Sequence, residues 1–206
     1  MTGTIDLEYP FEGRWLVQNS PADRVPSHGT RRFATSYAID FVPVGSDGRS
    51  APVTLATLVQ PEPAGRFPGF GREILAPAAG VVVGVHDAEP DHAARRGIAS
   101  IGYALTQGRR VRAGWAALAG NYVLVEHGAV VVALCHLQRG SVQVRPGQQV
   151  QVGEPVARCG NSGNSTQPHL HLQAMDGHDP LRSAAVPVIF RGVVPRAGDI
   201  VAARTP

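Results

Sequence analysis

A chain of 206 residues is long enough for one domain with a full core, and an apolar content of 43 % excludes a disordered segment. The net charge is only +3, every one of the 19 basic residues is arginine, and the pairs Arg31–Arg32, Arg95–Arg96 and Arg109–Arg110 are scattered without an aromatic ladder, which reads as solvated surface and argues against a nucleic-acid partner. No run is long enough to span a membrane, and the 24 glycines and 17 prolines favour short strands and turns over long helices.

Residues 1–26 are expected to form an arm without regular elements, broken by Pro10, Pro21 and Pro26 and packed down by Phe11, Trp15 and Leu16. Its start shows no basic region followed by an apolar stretch, so no signal peptide is visible. Ser36–Val42 predicts a strand with Ile39 and Phe41 on one face and Ala38 and Asp40 on the other. A carboxylate there marks either a solvated face or a metal ligand. Glu73–Val85 predicts two strands around a Pro/Gly turn. Residues 87–119 lose clean alternation and predict an insertion, partly helical, forming one wall of a cleft.

Asn121–His127 and Ala129–His136 predict a hairpin across Gly128. Val142–Val156 predicts short alternating strands divided at Pro146–Gly147 and Gly153, and 160–168 a polar loop leading into the strand His169–Gln173. After Asp176 one more apolar run, Val186–Phe190, precedes a tail expected to loosen. Cys135 and Cys159 are not in a Cys-x-x-Cys pair, which argues against a thiolate metal site. They read as two buried free thiols, or as one disulfide if the chain is exported.

On a strand, His169 and His171 share one face while Leu170 and Leu172 enter the core. Two such imidazoles suit a metal site or an acid–base pair. His136 ends a very apolar strand, and alternation puts it on the face of Leu134 and Val132, where a histidine is usually structural. With His28 upstream, the inventory of His28, Asp40, His136, His169 and His171 suffices for three N/O ligands and an open fourth position, with two histidines left to handle protons. His86, His92, His127 and His178 read as structural or surface residues.

At Gly160-Asn-Ser-Gly-Asn-Ser-Thr-Gln-Pro-His-Leu-His171 the sequence resembles the lysostaphin-type, LytM-like zinc endopeptidases that cleave bacterial cell walls. The likeness runs in order through Tyr37–Phe41, Glu73–Val85, Asn121–Gly128, Ala133–Leu137 and Val144–Val156, covering roughly 28–173 apart from the insertion. It implies a mostly β fold: a folded antiparallel sheet or sandwich (the duplicated hybrid motif) with a groove, plus the loop or helical insertion. It also implies one Zn²⁺ per chain held by His28, Asp40 and His171, with His136 and His169 as the catalytic pair. The implied substrate is peptidoglycan or another peptide, and the implied place is the cell envelope or outside the cell. A monomer is expected, as one metallopeptidase domain with a core of about 28–176 and an extension at 177–206. One departure stands out: the family's first histidine lies four residues before the aspartate, whereas here that place is Ser36 and His28 lies twelve before Asp40.

Two other readings use the same residues. An inactive cell-wall binding or regulatory module on this fold would follow if His28 were misplaced or the insertion covered the site. The Pro146–Val156 segment also resembles biotinyl and lipoyl carrier domains, but those need a lysine, which this chain lacks.

Overall fold

The computed structural model describes residues 3–52, 57, 60–97, 100 and 107–203. In chain order its strands begin with β1 (Ile5–Leu7), β2 (Gly13–Gln18), β3 (Ile39–Pro43), β4 (Glu73–Leu75) and β5 (Gly80–His86). Two short helices follow, α1 (Gln107–Ala113) and α2 (Trp115–Ala119). Then come β6 (Asn121–His127), β7 (Val130–Leu137), β8 (Gln149–Val150), β9 (Pro155–Arg158), β10 (Leu170–Met175), β11 (Ala185–Val186), β12 (Val188–Phe190) and β13 (Ile200–Ala203). The fold is mostly β, as expected.

One antiparallel sheet carries the site, in the order β13-β2-β3-β10-β7-β6-β5-β8, with β11 paired to the end of β10. Its centre is the part that reads most plainly in sequence. Val123, Val125, Val132, Leu134, Leu170 and Leu172 alternate onto one face and enter the main core. Leu124, Val131, Ala133, Cys135 and Met175 alternate onto the other, where Trp115 and Ala119 of α2 cover them. Burying each such aliphatic side chain stabilises the fold by about 1.5–3 kcal/mol. The β6–β7 hairpin turns at Gly128, whose φ of +61° costs a residue with a Cβ. Two smaller ladders, β4 with β9 and β1 with β12, complete the strands.

The ends of the chain differ from expectation. Residues 1–26 contain β1 and β2, and the tail contains β13. β2 pairs with β3 on one side and β13 on the other, Trp15 lying between Pro43 and Val201. An irregular sequence becomes a strand because both neighbours complete its ladder, and because Phe11 and Trp15 anchor it, their rings stacked at 4.3 Å. The strand expected around Val142–Val144 is absent: the Gln143 N–H bonds Val156 O, and Ser141 Oγ accepts from the Arg158 N–H, so single bonds replace a ladder. Both cysteines are free and buried, and burial pushes both thiols up. Of the expected insertion, residues 98–99 and 101–106 lie outside the described residues; among the described ones it includes the helices α1 and α2.

Candidate metal centre and groove

The sheet itself sets the first pair. β3 and β10 are antiparallel neighbours in a register that places Asp40 directly across from His171. Asp40 Oδ1 lies 2.9 Å from His171 Nδ1. His28 arrives from the loop before β3, and its Nε2 lies 3.0 Å from Asp40 Oδ2. The longer spacing to Asp40 is taken up by a loop through the 3-10 turn Arg32–Ala34, which leaves His28 at the carboxylate. The candidate ligand atoms of His28, Asp40 and His171 all lie within 4.8 Å of one another. His136 and His169 stand beside them, ring centroids 4.6 Å apart, and His136 lies 5.7 Å from the His171 ring.

His136 reaches the groove against the alternation rule. Tyr122 pairs with Cys135 and Asn121 with Leu137, so His136 is the extra residue of a β-bulge, at φ +62°. Leu134 and Leu137 both enter the main core, while Cys135 and His136 both line the groove. The expectation that His136 shares a face with Leu134 and Val132 is therefore corrected: the bulge turns it around.

The partner on the far side of each ring decides what each imidazole offers. Ser27 Oγ gives its single proton to Ala38 O at 2.6 Å, so it accepts from His28 Nδ1 at 3.0 Å. Gln173 Nε2 donates to Phe33 O at 2.7 Å, which turns its Oε1 toward His171 Nε2 at 3.1 Å. That oxygen can only accept. His28 Nε2 and His171 Nδ1 thus both point lone pairs at Asp40, and a positive charge, a proton or a metal cation, must stand between them. Two imidazole nitrogens and one carboxylate, nearly dry and fixed from behind, are a donor set that fits zinc, whose N/O bonds run about 2.0–2.2 Å. On the other pair, His136 Nδ1 donates to Ser162 O at 3.0 Å and His169 Nδ1 to Gln167 O at 2.8 Å. Their Nε2 atoms are left as proton acceptors.

Electrostatics follow from this packing. Burial pushes the Asp40 carboxyl up, but His28, His169 and the bond from His171 reverse this and hold it well below the usual carboxylate range. Burial also works against charge on His28, yet the adjacent Asp40 outweighs it and raises that imidazole. His136 is held well below the usual imidazole range by burial and then by the neighbouring histidines, and His169 is lowered by burial. Both are neutral bases at neutral pH.

The five residues open on a groove of about 670 Å³. Val111, Trp115, Leu118 and Ala119 line it, as does the loop at Gly29, Thr30, Arg32 and Phe33. Two described points of the stretch 87–119 are tied to neighbouring loops: Asp91 accepts from the Asn161 and Arg139 N–H groups, and Asn164 N donates to Leu118 O at 2.8 Å. The other histidines lie elsewhere. His92 bonds the Gly163 carbonyl, His127 the Ala79 carbonyl, and His178 pairs with Glu126 at the surface. His86 stacks on Tyr122. Sequence reasoning missed Asn19, which donates to Asp40 Oδ2 at 2.8 Å, and also Ser27 and Gln173. Only Gln173 gave a signal, being two residues beyond His171 on the same strand face.

Residues 91–183 match peptidase family M23. Over 78 residues, 38 % of this chain, the sequence is 31 % identical to the peptidoglycan DD-endopeptidase ShyA of Vibrio cholerae, of which it covers 18 %. Over 56 residues, 27 % of this chain, it is 43 % identical to an uncharacterized metalloprotease of Haemophilus influenzae, of which it covers 11 %. The chain thus spans less than a fifth of these curated relatives. Among solved structures, the catalytic domain of the antimicrobial peptidase lysostaphin from Staphylococcus simulans superposes with a TM-score of 0.41 at 15 % identity, over 73 % of this chain and 77 % of that one.

Proposed function

We propose that this chain, whose residues 91–183 match peptidase family M23, is a zinc-dependent endopeptidase of that family that cleaves peptide cross-links of peptidoglycan. His28, Asp40 and His171 would hold the metal, and His136 and His169 would handle protons. One observation carries the reading: two imidazoles, each donating from its far nitrogen to a fixed acceptor, turn lone pairs onto one buried carboxylate. The curated relative named for peptidoglycan supports the substrate class.

Zinc, when bound, supplies a Lewis acid for the scissile carbonyl and for an attacking water. The chain's own residues do the rest. Of His136 and His169, both neutral and lining the groove, one accepts the proton of the attacking water at Nε2 and returns it to the leaving amine. An imidazole N–H formed in this way also donates to the developing oxyanion. Ser162 O and Gln167 O keep both rings oriented throughout. The groove walls exclude bulk water and position the chain to be cut.

The test is digestion of defined cross-linked muropeptides, with mass spectrometry of the products and zinc analysis of the same protein. One zinc per chain, cleavage abolished by chelator, and a His169→Ala variant that keeps zinc but loses cleavage are expected. Cleavage that persists in chelator, or that is undiminished in His169→Ala, would sink the assignment.

A further inference from the structure

The charges of the groove are unbalanced in a way that the proposed hydrolysis does not use. Two guanidinium groups, Arg24 and Arg32, line it, and the one carboxylate among its lining residues, Asp40, is committed to His28, His171 and Asn19. Among the described residues neither Arg24 nor Arg32 takes part in an ion pair, so neither is neutralised there. Arg24 is nonetheless placed. Its Nε donates to Ser27 O at 3.0 Å, which leaves both terminal nitrogens without a partner among the described residues. Ser27 is also the residue that fixes His28, so the guanidinium is tied to the metal-binding segment, and its charge works against protonation of His28. Arg32 begins the 3-10 turn whose Phe33 carbonyl is gripped by Gln173. Both cations therefore ride on backbone anchored to the candidate metal centre, while Trp115 and Leu118 give the same groove an apolar wall.

The geometry points to a carboxylate-binding subsite, in which Arg24 and Arg32 take the free carboxylate of a substrate residue next to the scissile bond and Trp115 and Leu118 pack against its aliphatic part. The substrate class is then a peptide with a free carboxylate beside the bond that is cut, in preference to an uncharged chain such as linked glycines. This rests on the peptidase reading above. Both arginines are exposed, where a simple ion pair contributes little, but a bidentate guanidinium–carboxylate pair is charge-assisted and directional.

Two branched peptides test it, identical except that the carboxyl beside the scissile amide is free in one and a primary amide in the other. With the zinc-loaded full chain, kcat/KM for the free carboxylate is expected to exceed that for the amide by about tenfold, the value of one charge-assisted hydrogen bond. The double variant Arg24→Gln, Arg32→Gln should collapse that ratio toward one, and Arg24→Lys with Arg32 intact should keep part of it. Equal kcat/KM for the two peptides in the parent chain, or a double variant that preserves the ratio, overturns the subsite. Calorimetric binding of both peptides to His169→Ala separates this from failure of the peptidase reading. An arginine-dependent preference in binding without any cleavage by the parent chain supports the subsite and counts against the peptidase. Cleavage without preference in either binding or turnover counts against the subsite alone.

Discussion

Four imidazoles and one carboxylate meet in the groove, and the atom behind each ring separates their roles. His171 is the clearest case. Gln173 cannot rotate its amide, because Phe33 O demands the N–H end, so the oxygen must face His171 and hold the proton on Nε2. Replacing Gln173 with Leu removes that acceptor and leaves the buried His171 N–H and the half-buried Phe33 O without these partners. Loss of such outer support typically costs about 10–100-fold in metal affinity. Gln173→Glu keeps an acceptor for His171 but replaces the donor to Phe33 O with a buried carboxylate oxygen. In competition with a chelating dye, Gln173→Leu should bind zinc at least tenfold more weakly (roughly the lower end of that range), with Gln173→Glu between it and the parent. A Leu variant that binds zinc as tightly as the parent would show that the amide does not orient His171.

At the level of elements, the second pair of histidines depends on two irregularities. One is the bulge at His136, and the other is the loop 160–168, whose Ser162 and Gln167 carbonyls hold His136 and His169. That loop is pressed against the end of α2 at Gly163, where φ is +68° and an added Cβ would lie 2.6 Å from Leu118 O. Gly163→Ala meets both backbone strain, about 1–3 kcal/mol, and that carbonyl. It should therefore displace the loop and cost turnover while zinc content stays near one per chain, because His28, Asp40 and His171 are held from other elements. Joint loss of zinc and turnover would show that the loop supports the metal as well. These irregularities also mark how far the sequence could be read. β3, β6, β7 and β10 were legible because their alternation records a sheet with two covered faces. The shared face of His169 and His171 followed from the same rule. The bulge was not legible, since a histidine at positive φ leaves no mark in the pattern, and strict alternation turned His136 toward the core. Ser27 and Asn19 were invisible because their partners lie 11 and 21 residues away.

Across the whole molecule, the missed strands and the candidate metal centre share one cause: their contacts join distant parts of the chain. β2 is completed as a strand by β3 on one side and by β13, from the other end of the chain, on the other, and β3 lies between β2 and β10. That arrangement makes Asp40 and His171 neighbours across 131 residues. His28 is the one proposed ligand supplied by a loop, so a bound ion would tie that loop to the sheet. The unfolded chain has no such arrangement, and zinc should therefore stabilise the native state by mass action. At a free concentration of 100 times Kd the gain is about 2.7 kcal/mol. For a domain of this size, with each kcal/mol worth about 2–4 °C, Tm should rise by roughly 5–10 °C over the chelated protein. His28→Ala leaves Asp40 and His171 paired on the sheet but removes the third ligand, so its Tm should respond far less to zinc. Scanning calorimetry of parent and variant, each in chelator and in buffered zinc, checks both points. If the parent melts at the same temperature in both buffers, no ion joins the loop to the sheet. If His28→Ala responds as fully as the parent, zinc binds without His28, and the long loop before Asp40 serves only as a wall of the groove.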